Sequence, residues 1–320
     1  MIIKKGYITA AKLFLTFLVF ALLFFTFDID LSKILSGIIN YKYLLLSLVI
    51  PLIIIPIISS NRWKLFLHYV GVEETALTLM KINFISMFQG IVLPSTQGVD
   101  VIRIIHIEAK HPEKRGKVGS TILIERMIGF VILCSLSLFF TCVADIPNRN
   151  QVLLLISGIF ILLLLTITLL LNKKIATLLS QKKFSNHILN SCFQYLNKIA
   201  SSLAYFPYNK VLLSSIAFIL LYQISIISSV YLIFQAYGIT IPFITHISLY
   251  PIIAILSLIP ITISGFGIRE GFFVYFYSQL GVPAEIAVSV SLMNYVVLSL
   301  VPALLGSILY IIDIFKKKTE

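Results

Sequence analysis

The chain has 320 residues, 59% of them hydrophobic and only 12% charged, with a mean hydropathy of +1.02 and a net charge of +12. A soluble globular domain carries about 25% charged residues, so this composition excludes one. It predicts an all-α, polytopic integral membrane protein forming a single membrane domain over residues 1–320. The basic residues sit in short loops beside apolar runs, where they report orientation and contact with anionic headgroups, not a nucleic-acid surface. Cys134, Cys142 and Cys192 are unclustered. They give neither a disulfide framework nor a metal-ligand spacing, so no metal or other cofactor is expected.

Lys4, Lys5 and Lys12 precede an apolar run over 13–27. The run ends at Phe27 and Asp28 without a small-residue cleavage pattern, which predicts an uncleaved first span with a cytoplasmic N-terminus. A second span covers 43–60. Pro51 and Pro56 kink it, which lipid tolerates when neighbours satisfy the freed carbonyls. Arg62, Trp63, Lys64 and His68 then mark a cytoplasmic interface.

The next apolar stretch, 82–93, is too short to cross a bilayer alone. It leads into Leu93-Pro94-Ser95-Thr96-Gln97-Gly98-Val99-Asp100-Val101-Ile102-Arg103, where Pro94 and Gly98 supply a break. Basic residues flank this region on both sides, so residues 82–108 read as a broken helix dipping from the cytoplasm and returning to it. A third span covers 118–144 and carries Glu125 and Arg126 in its first turns. A fourth covers 152–171. Between 184 and 206, apolar residues recur every three or four positions from Phe184 to Phe206. That periodicity predicts an amphipathic helix on the cytoplasmic surface.

A fifth span covers 211–235, and the loop after it carries no Lys or Arg, so it lies outside. Residues 247–281 contain a second polar interruption, Ile259-Pro260-Ile261-Thr262-Ile263-Ser264-Gly265-Phe266-Gly267-Ile268-Arg269-Glu270-Gly271. A final span over 284–312 places Lys316, Lys317 and Lys318 in the cytoplasm. Parity then requires 247–281 to begin and end outside. The expected fold has about six full spans and two re-entrant hairpins entering from opposite sides, with eight or more spans if the hairpins cross. Such an arrangement is inverted-repeat-like and marks a transport core of the cytoplasmic membrane.

The segments Leu93-Pro94, Gly98, Asp100 and Arg103, then Ile124-Glu125-Arg126, then Ile263 to Glu270 resemble the membrane region of bacterial lysylphosphatidylglycerol synthases, the multiple peptide resistance factor. They also resemble the free-standing flippase-like proteins of that superfamily. The likeness follows nearly the whole chain in order. One departure is that the family shows two adjacent glycines before the acid near the first Arg, whereas Gln97-Gly98-Val99-Asp100 keeps one. The resemblance implies translocation of an anionic phospholipid, an aminoacyl-lipid or an isoprenoid-phosphate-linked glycan. In two-domain relatives a soluble aminoacyl-transferase domain follows the membrane region. Here the chain stops at Glu320, so transferase activity is not expected.

The residues expected to meet a lipid headgroup are Asp100, Arg103, Glu125, Arg126, Arg269 and Glu270. Asp100 and Arg103 share a helix face at i and i+3. Arg103 either holds a phosphate bidentately or snorkels to the interface. Arg269 and Glu270 lie among apolar residues, where an unpaired charge costs roughly 3 kcal/mol. They form either a headgroup site or an internal ion pair. Glu125 and Arg126 either rim the same path or form an interfacial pair. Pro94, Gly98, Pro260, Gly265, Gly267 and Gly271 are the expected hinges. Two alternatives stand beside translocation: a transferase acting on a lipid phosphate with Glu270 or Asp100 as base, and a non-catalytic subunit of a biosynthetic complex. Membrane lipids are the expected partners, and a second copy or a glycosyl- or aminoacyl-transferase is left open.

Overall fold

The computed structural model describes residues 36–91, 97–172, 194, 199–203, 208–258, 262 and 265–319, and every regular element among them is helical. Long apolar helices are α1 (Tyr41–Tyr69), α4 (Lys117–Val143), α5 (Arg149–Leu170), α6 (Tyr208–Ala236) and α9 (Ala284–Lys316). Shorter ones are α2 (Ala76–Ile91), α3 (Gly98–Lys110), α7 (Phe243–Leu256) and α8 (Ile268–Ser278). The expected first span over 13–27 lies outside the described residues, as does most of the amphipathic segment over 184–206. At 1.5 Å per residue, α2 reaches about 24 Å and α3 about 20 Å, short of a hydrocarbon core about 30 Å thick.

Each pair of short helices folds back on itself. Gly90, near the end of α2, abuts Val99 at the start of α3, while Lys110 at the end of α3 pairs with Glu74 just ahead of α2. The hairpin therefore enters and leaves at one face. In the second pair, His246 near the start of α7 bonds Tyr277 near the end of α8, and Tyr250 meets Phe273 one turn further in. This hairpin opens at the opposite face. The amide nitrogens of Ile39 and Asn40, just ahead of α1, donate to Ala236 at the end of α6, and Asn148 bonds Gln279 beyond α8. Lys81 of α2 pairs with Asp313 of α9, which places the end of α9 at the first hairpin's face.

The elements repeat. Tyr41 and Tyr208, Ala76 and Phe243, and Lys117 and Ala284 begin corresponding helices and are each 167 positions apart. In both halves a long helix is followed by a short hairpin and a second long helix, with the direction across the bilayer inverted. The packing is reciprocal as well: α2 lies along α9, α7 lies along α4, and α1 packs against α6. The α2–α9 contact is a close backbone approach, since a Cβ on Gly306 would run into the Phe84 carbonyl oxygen. Small residues at such crossings let membrane helices pack without a hydrophobic driving force.

The prolines of α1 are absorbed by a π-helical turn over Ile50–Ile54. Pro51 has no N–H, so the Ser47 carbonyl loses its usual donor. Ser229 of α6 replaces that donor at 3.1 Å. Lipid offers no water for this task, so a neighbouring hydroxyl must serve. The helix then runs past the expected boundary at 60 to Tyr69, and Arg62 and Trp63 are both buried. Their expected role as interface markers is therefore corrected: they belong to the interior.

The main core joins α4, α6, α7, α8 and α9 around Phe234, Ile252, Ile253, Phe273, Tyr277 and Met293. His246 is embedded in it. Its Nε2 faces the Ile227 carbonyl at 3.0 Å, so that nitrogen carries the proton, and Nδ1 accepts from the Tyr277 hydroxyl at 2.7 Å. By contrast α5 turns Leu154, Ile161, Leu162, Leu165 and Leu169 outward. A leucine-rich outer face of this kind is solvated by acyl chains.

Candidate functional site

Five charges converge where α1, α3 and α4 meet. Asp100 stands in the first turn of α3, and Arg103 lies one turn on. Arg103 Nη1 donates to Asp100 Oδ1 at 3.3 Å, and both terminal nitrogens of Arg103 donate to Glu125 Oε2 at 3.4 Å. Arg62 of α1 grips the same Glu125 with Nε at 3.2 Å and Nη2 at 3.4 Å. Arg126 Nε donates to Asp100 Oδ2 at 2.7 Å. Two aromatic rings complete the setting. The Arg103 guanidinium lies 4.1 Å from the ring centre of Trp63, and that of Arg62 lies 4.3 Å from the ring centre of Tyr222. Trp63 is held by its own Nε1 bond to Thr121 at 3.2 Å.

The burial of these groups is uneven. Arg62, Asp100, Arg103 and Glu125 are each buried, whereas the Arg126 side chain remains 41% exposed. Pairing is what allows the buried four to stay charged, because an isolated ion in a medium of low dielectric is strongly unfavourable. Yet three guanidiniums face two carboxylates, leaving one positive charge in excess. Among the described residues, no acceptor meets the buried Arg103 Nε. A buried donor left unsatisfied costs about 1–3 kcal/mol, which an added acceptor would relieve.

The cluster forms one wall of a cavity of about 320 Å³. Ser59 and Asn83 add neutral polar groups, and the Asn83 amide donates to Ser59 and Ser60 at 3.3 and 3.2 Å. Gln223, Tyr222 and Tyr250 line it as well, and the rest is apolar, including Phe130 and Leu133 of α4, Ile226 of α6, Ala254 of α7 with Leu258 just beyond it, and Leu298 of α9. The charges sit about two helical turns in from the end that carries Lys110, Lys114, Arg115 and Lys117. The space is thus amphiphilic, cationic at one end and greasy at the other.

The sequence model of the lysylphosphatidylglycerol synthase TM region matches residues 10–306. The chain belongs to this family. A UPF0104 membrane protein of Methanocaldococcus jannaschii is 23% identical over 310 residues, covering 91% of this chain and 92% of that protein. No solved structure matches. The family resemblance drawn from the two polar interruptions and the Glu125-Arg126 pair therefore holds across the chain.

Four of the six expected headgroup residues, Asp100, Arg103, Glu125 and Arg126, come together on the cavity wall. Arg269 and Glu270 lie elsewhere and are occupied with each other. Glu270 Oε1 accepts from Arg269 Nη2 at 2.7 Å and from Ser291 Oγ at 2.9 Å, while Oε2 accepts from the Gly267 amide at 2.6 Å. Arg269 Nε also reaches Ser291 at 3.0 Å. The carboxylate caps the N-terminus of α8, where backbone donors and the helix dipole both favour an anion. Gly265 and Gly267 have φ of +74° and +85°, so the chain turns at these glycines before entering α8. Gly271 is no hinge: its amide bonds back to Gly267 inside the helix. Gly98 opens α3, and Pro94 and Pro260 lie outside the described residues.

Sequence reasoning missed Arg62. A sharper signal was present, because an Arg-Trp step two turns beyond Pro56 continues the helical face of Ser59. Such a face can stay inside the bundle only if a partner acid exists.

Proposed function

We propose that this protein translocates a phosphate-bearing lipid across the cytoplasmic membrane, holding its headgroup on Arg103 and Arg126 in the cavity. The observation that carries this reading is the excess guanidinium charge beside a largely apolar space, with a buried Arg103 N–H that no acceptor among the described residues meets. A phosphate oxygen suits that donor, and arginine binds phosphate in a planar, bidentate way. The tails of the lipid would leave between the helices past Phe130 and Leu133. The inverted halves fit alternating access, in which one half rocks against the other around a site near their interface. The Lys- and Arg-rich end of the bundle is read as cytoplasmic, and the loop-charge pattern of the sequence assigns both chain termini to the same side.

A transferase reading needs a carboxylate free to act as base. Asp100, Glu125 and Glu270 are all held by arginines, which favours binding over catalysis. The test is transfer of a fluorescent phospholipid between leaflets of liposomes containing the purified protein. Arg126→Gln, which disturbs the least buried member, is expected to lower the rate by about tenfold, equivalent to about 1.4 kcal/mol. Wild-type transfer no faster than in empty liposomes, with every tested phosphate lipid, would refute the proposal. A covalently altered lipid in the same samples would favour the enzyme.

A further inference from the structure

Every carboxylate oxygen in the cavity cluster already accepts from an arginine. Glu125 Oε1 takes Arg62 Nε, and Glu125 Oε2 takes Arg62 Nη2 with both terminal nitrogens of Arg103. Asp100 Oδ1 takes Arg103, and Asp100 Oδ2 takes Arg126. Among the described residues, a cationic headgroup entering the cavity meets no free acid. It meets three guanidiniums whose charge the two acids offset only in part, and like charges at close range in a poorly hydrated site repel strongly. An anion meets the reverse situation. It finds the buried Arg103 Nε, which no acceptor among the described residues meets, and the half-exposed Arg126.

We infer that the site selects lipids whose headgroup is a small phosphate ester of net negative charge. It rejects those on which an esterified amino acid has placed an ammonium group, lysylphosphatidylglycerol included. This selectivity rests on the headgroup role proposed above for the same cavity. The family description names a cationic lipid's synthase, so the selectivity separates this chain's cargo from that product. Size agrees with charge. A volume of about 320 Å³ is at the small end of ligand sites, which span about 300–1,000 Å³. It admits a phosphate ester and its first carbons. Neutral polar groups on the lining, Ser59, Asn83 and Gln223 among them, suit the hydroxyls of a glycerol and bring no negative charge. Phosphatidylglycerol and a polyprenyl phosphate share this chemistry.

The chain carries its own reporter. Trp63 is the sole tryptophan, and its ring lies under the Arg103 guanidinium. Its emission in detergent micelles would be titrated with short-chain phosphatidylglycerol, its lysyl ester, a short polyprenyl phosphate and inorganic phosphate. Retention of each lipid would be followed in parallel by native mass spectrometry. Saturable change is expected with phosphatidylglycerol or the polyprenyl phosphate, and the tighter of the two identifies the source. The lysyl ester should need about tenfold more lipid or worse, and inorganic phosphate should be weaker still. Arg126→Gln should weaken anionic lipid about tenfold, and Arg126→Lys should restore most of that loss. Lysyl ester binding as tightly as phosphatidylglycerol would overturn the selectivity and leave the headgroup site standing. Inorganic phosphate saturating at the lipid's concentration would overturn a lipid ligand. Silence from Trp63 with no lipid retained would overturn the headgroup site and the selectivity together.

Discussion

The two hairpins have the same shape and opposite electrostatics. In the first, α3 offers Asp100 and Arg103 to partners on two other helices, Arg62 of α1 and Glu125 and Arg126 of α4. In the second, α8 closes Glu270 on its own Gly267 and Arg269, with one hydroxyl from Ser291 of α9. The internal repeat makes the comparison position by position. Ser229 stands where Arg62 stands, Leu292 where Glu125 stands, and Met293 where Arg126 stands. One half of the molecule was given ions that span helices, and the other was given a local cap. A duplicated framework thus holds a cavity-lining ion cluster on one side and a local helix cap on the other.

The sharpest way to break this contrast is Glu125→Ala. It strips the acceptor from Arg62 and leaves Arg103 with Asp100 alone. Removing one partner of a buried ion pair costs about 3–5 kcal/mol, so this variant should show the largest fall in melting temperature in detergent. A variant that melts with wild type would mean that the three-helix network contributes nothing to the fold.

The contrast was only partly readable beforehand. Hairpins could be inferred because Pro94 and Gly98, or Pro260 and Gly265, interrupt apolar runs too short to cross, and because loop charge fixes parity. Asp100 and Arg103 could be paired because their spacing is one helical turn. Arg62 was harder to place: its helical face continues that of Ser59, but its partner Glu125 is 63 residues away and a run of Arg62, Trp63 and Lys64 looks the same at an interface. Arg269 and Glu270 left a headgroup site and an internal ion pair both open for the opposite reason. Two charges inside apolar sequence suggest a cavity until Ser291 and the Gly267 amide are seen to consume their valences. Periodicity and composition report which residues must be satisfied, whereas only packing reports by whom.

The next test concerns how each hairpin docks on the opposite half. The first uses backbone contact, with Gly306 of α9 against the Phe84 carbonyl of α2. The second uses a side chain, with Ser137 of α4 donating to the Ser248 carbonyl of α7 at 2.6 Å. Gly306→Ala forces the α2–α9 pair apart and should cost about 1–3 kcal/mol through overpacking. Because α2 carries part of the cavity wall, lipid transfer should fall with it. Stability and transfer both equal to wild type would show that the first hairpin does not depend on this contact.

Glu270→Gln has the smallest expected effect and discriminates most finely. An amide oxygen can still accept from the Gly267 amide, so the turn into α8 survives. What is lost is charge assistance to Arg269 and to the helix N-terminus. Charge-assisted bonds exceed neutral ones by about 1 kcal/mol, so the melting temperature should drop only slightly. The half-buried Arg269 keeps its Ser291 contact and lies between Phe266 and Tyr295, whose ring centres are 5.3 and 5.4 Å away. Since neither Arg269 nor Glu270 lines the cavity, the Trp63 titration with anionic lipid should match wild type. Glu125→Gln should alter the same titration, because it releases Arg103 directly beneath the reporter ring. If Glu270→Gln shifts lipid affinity as far as Glu125→Gln does, the second hairpin takes part in headgroup binding and the division of labour between the halves is wrong.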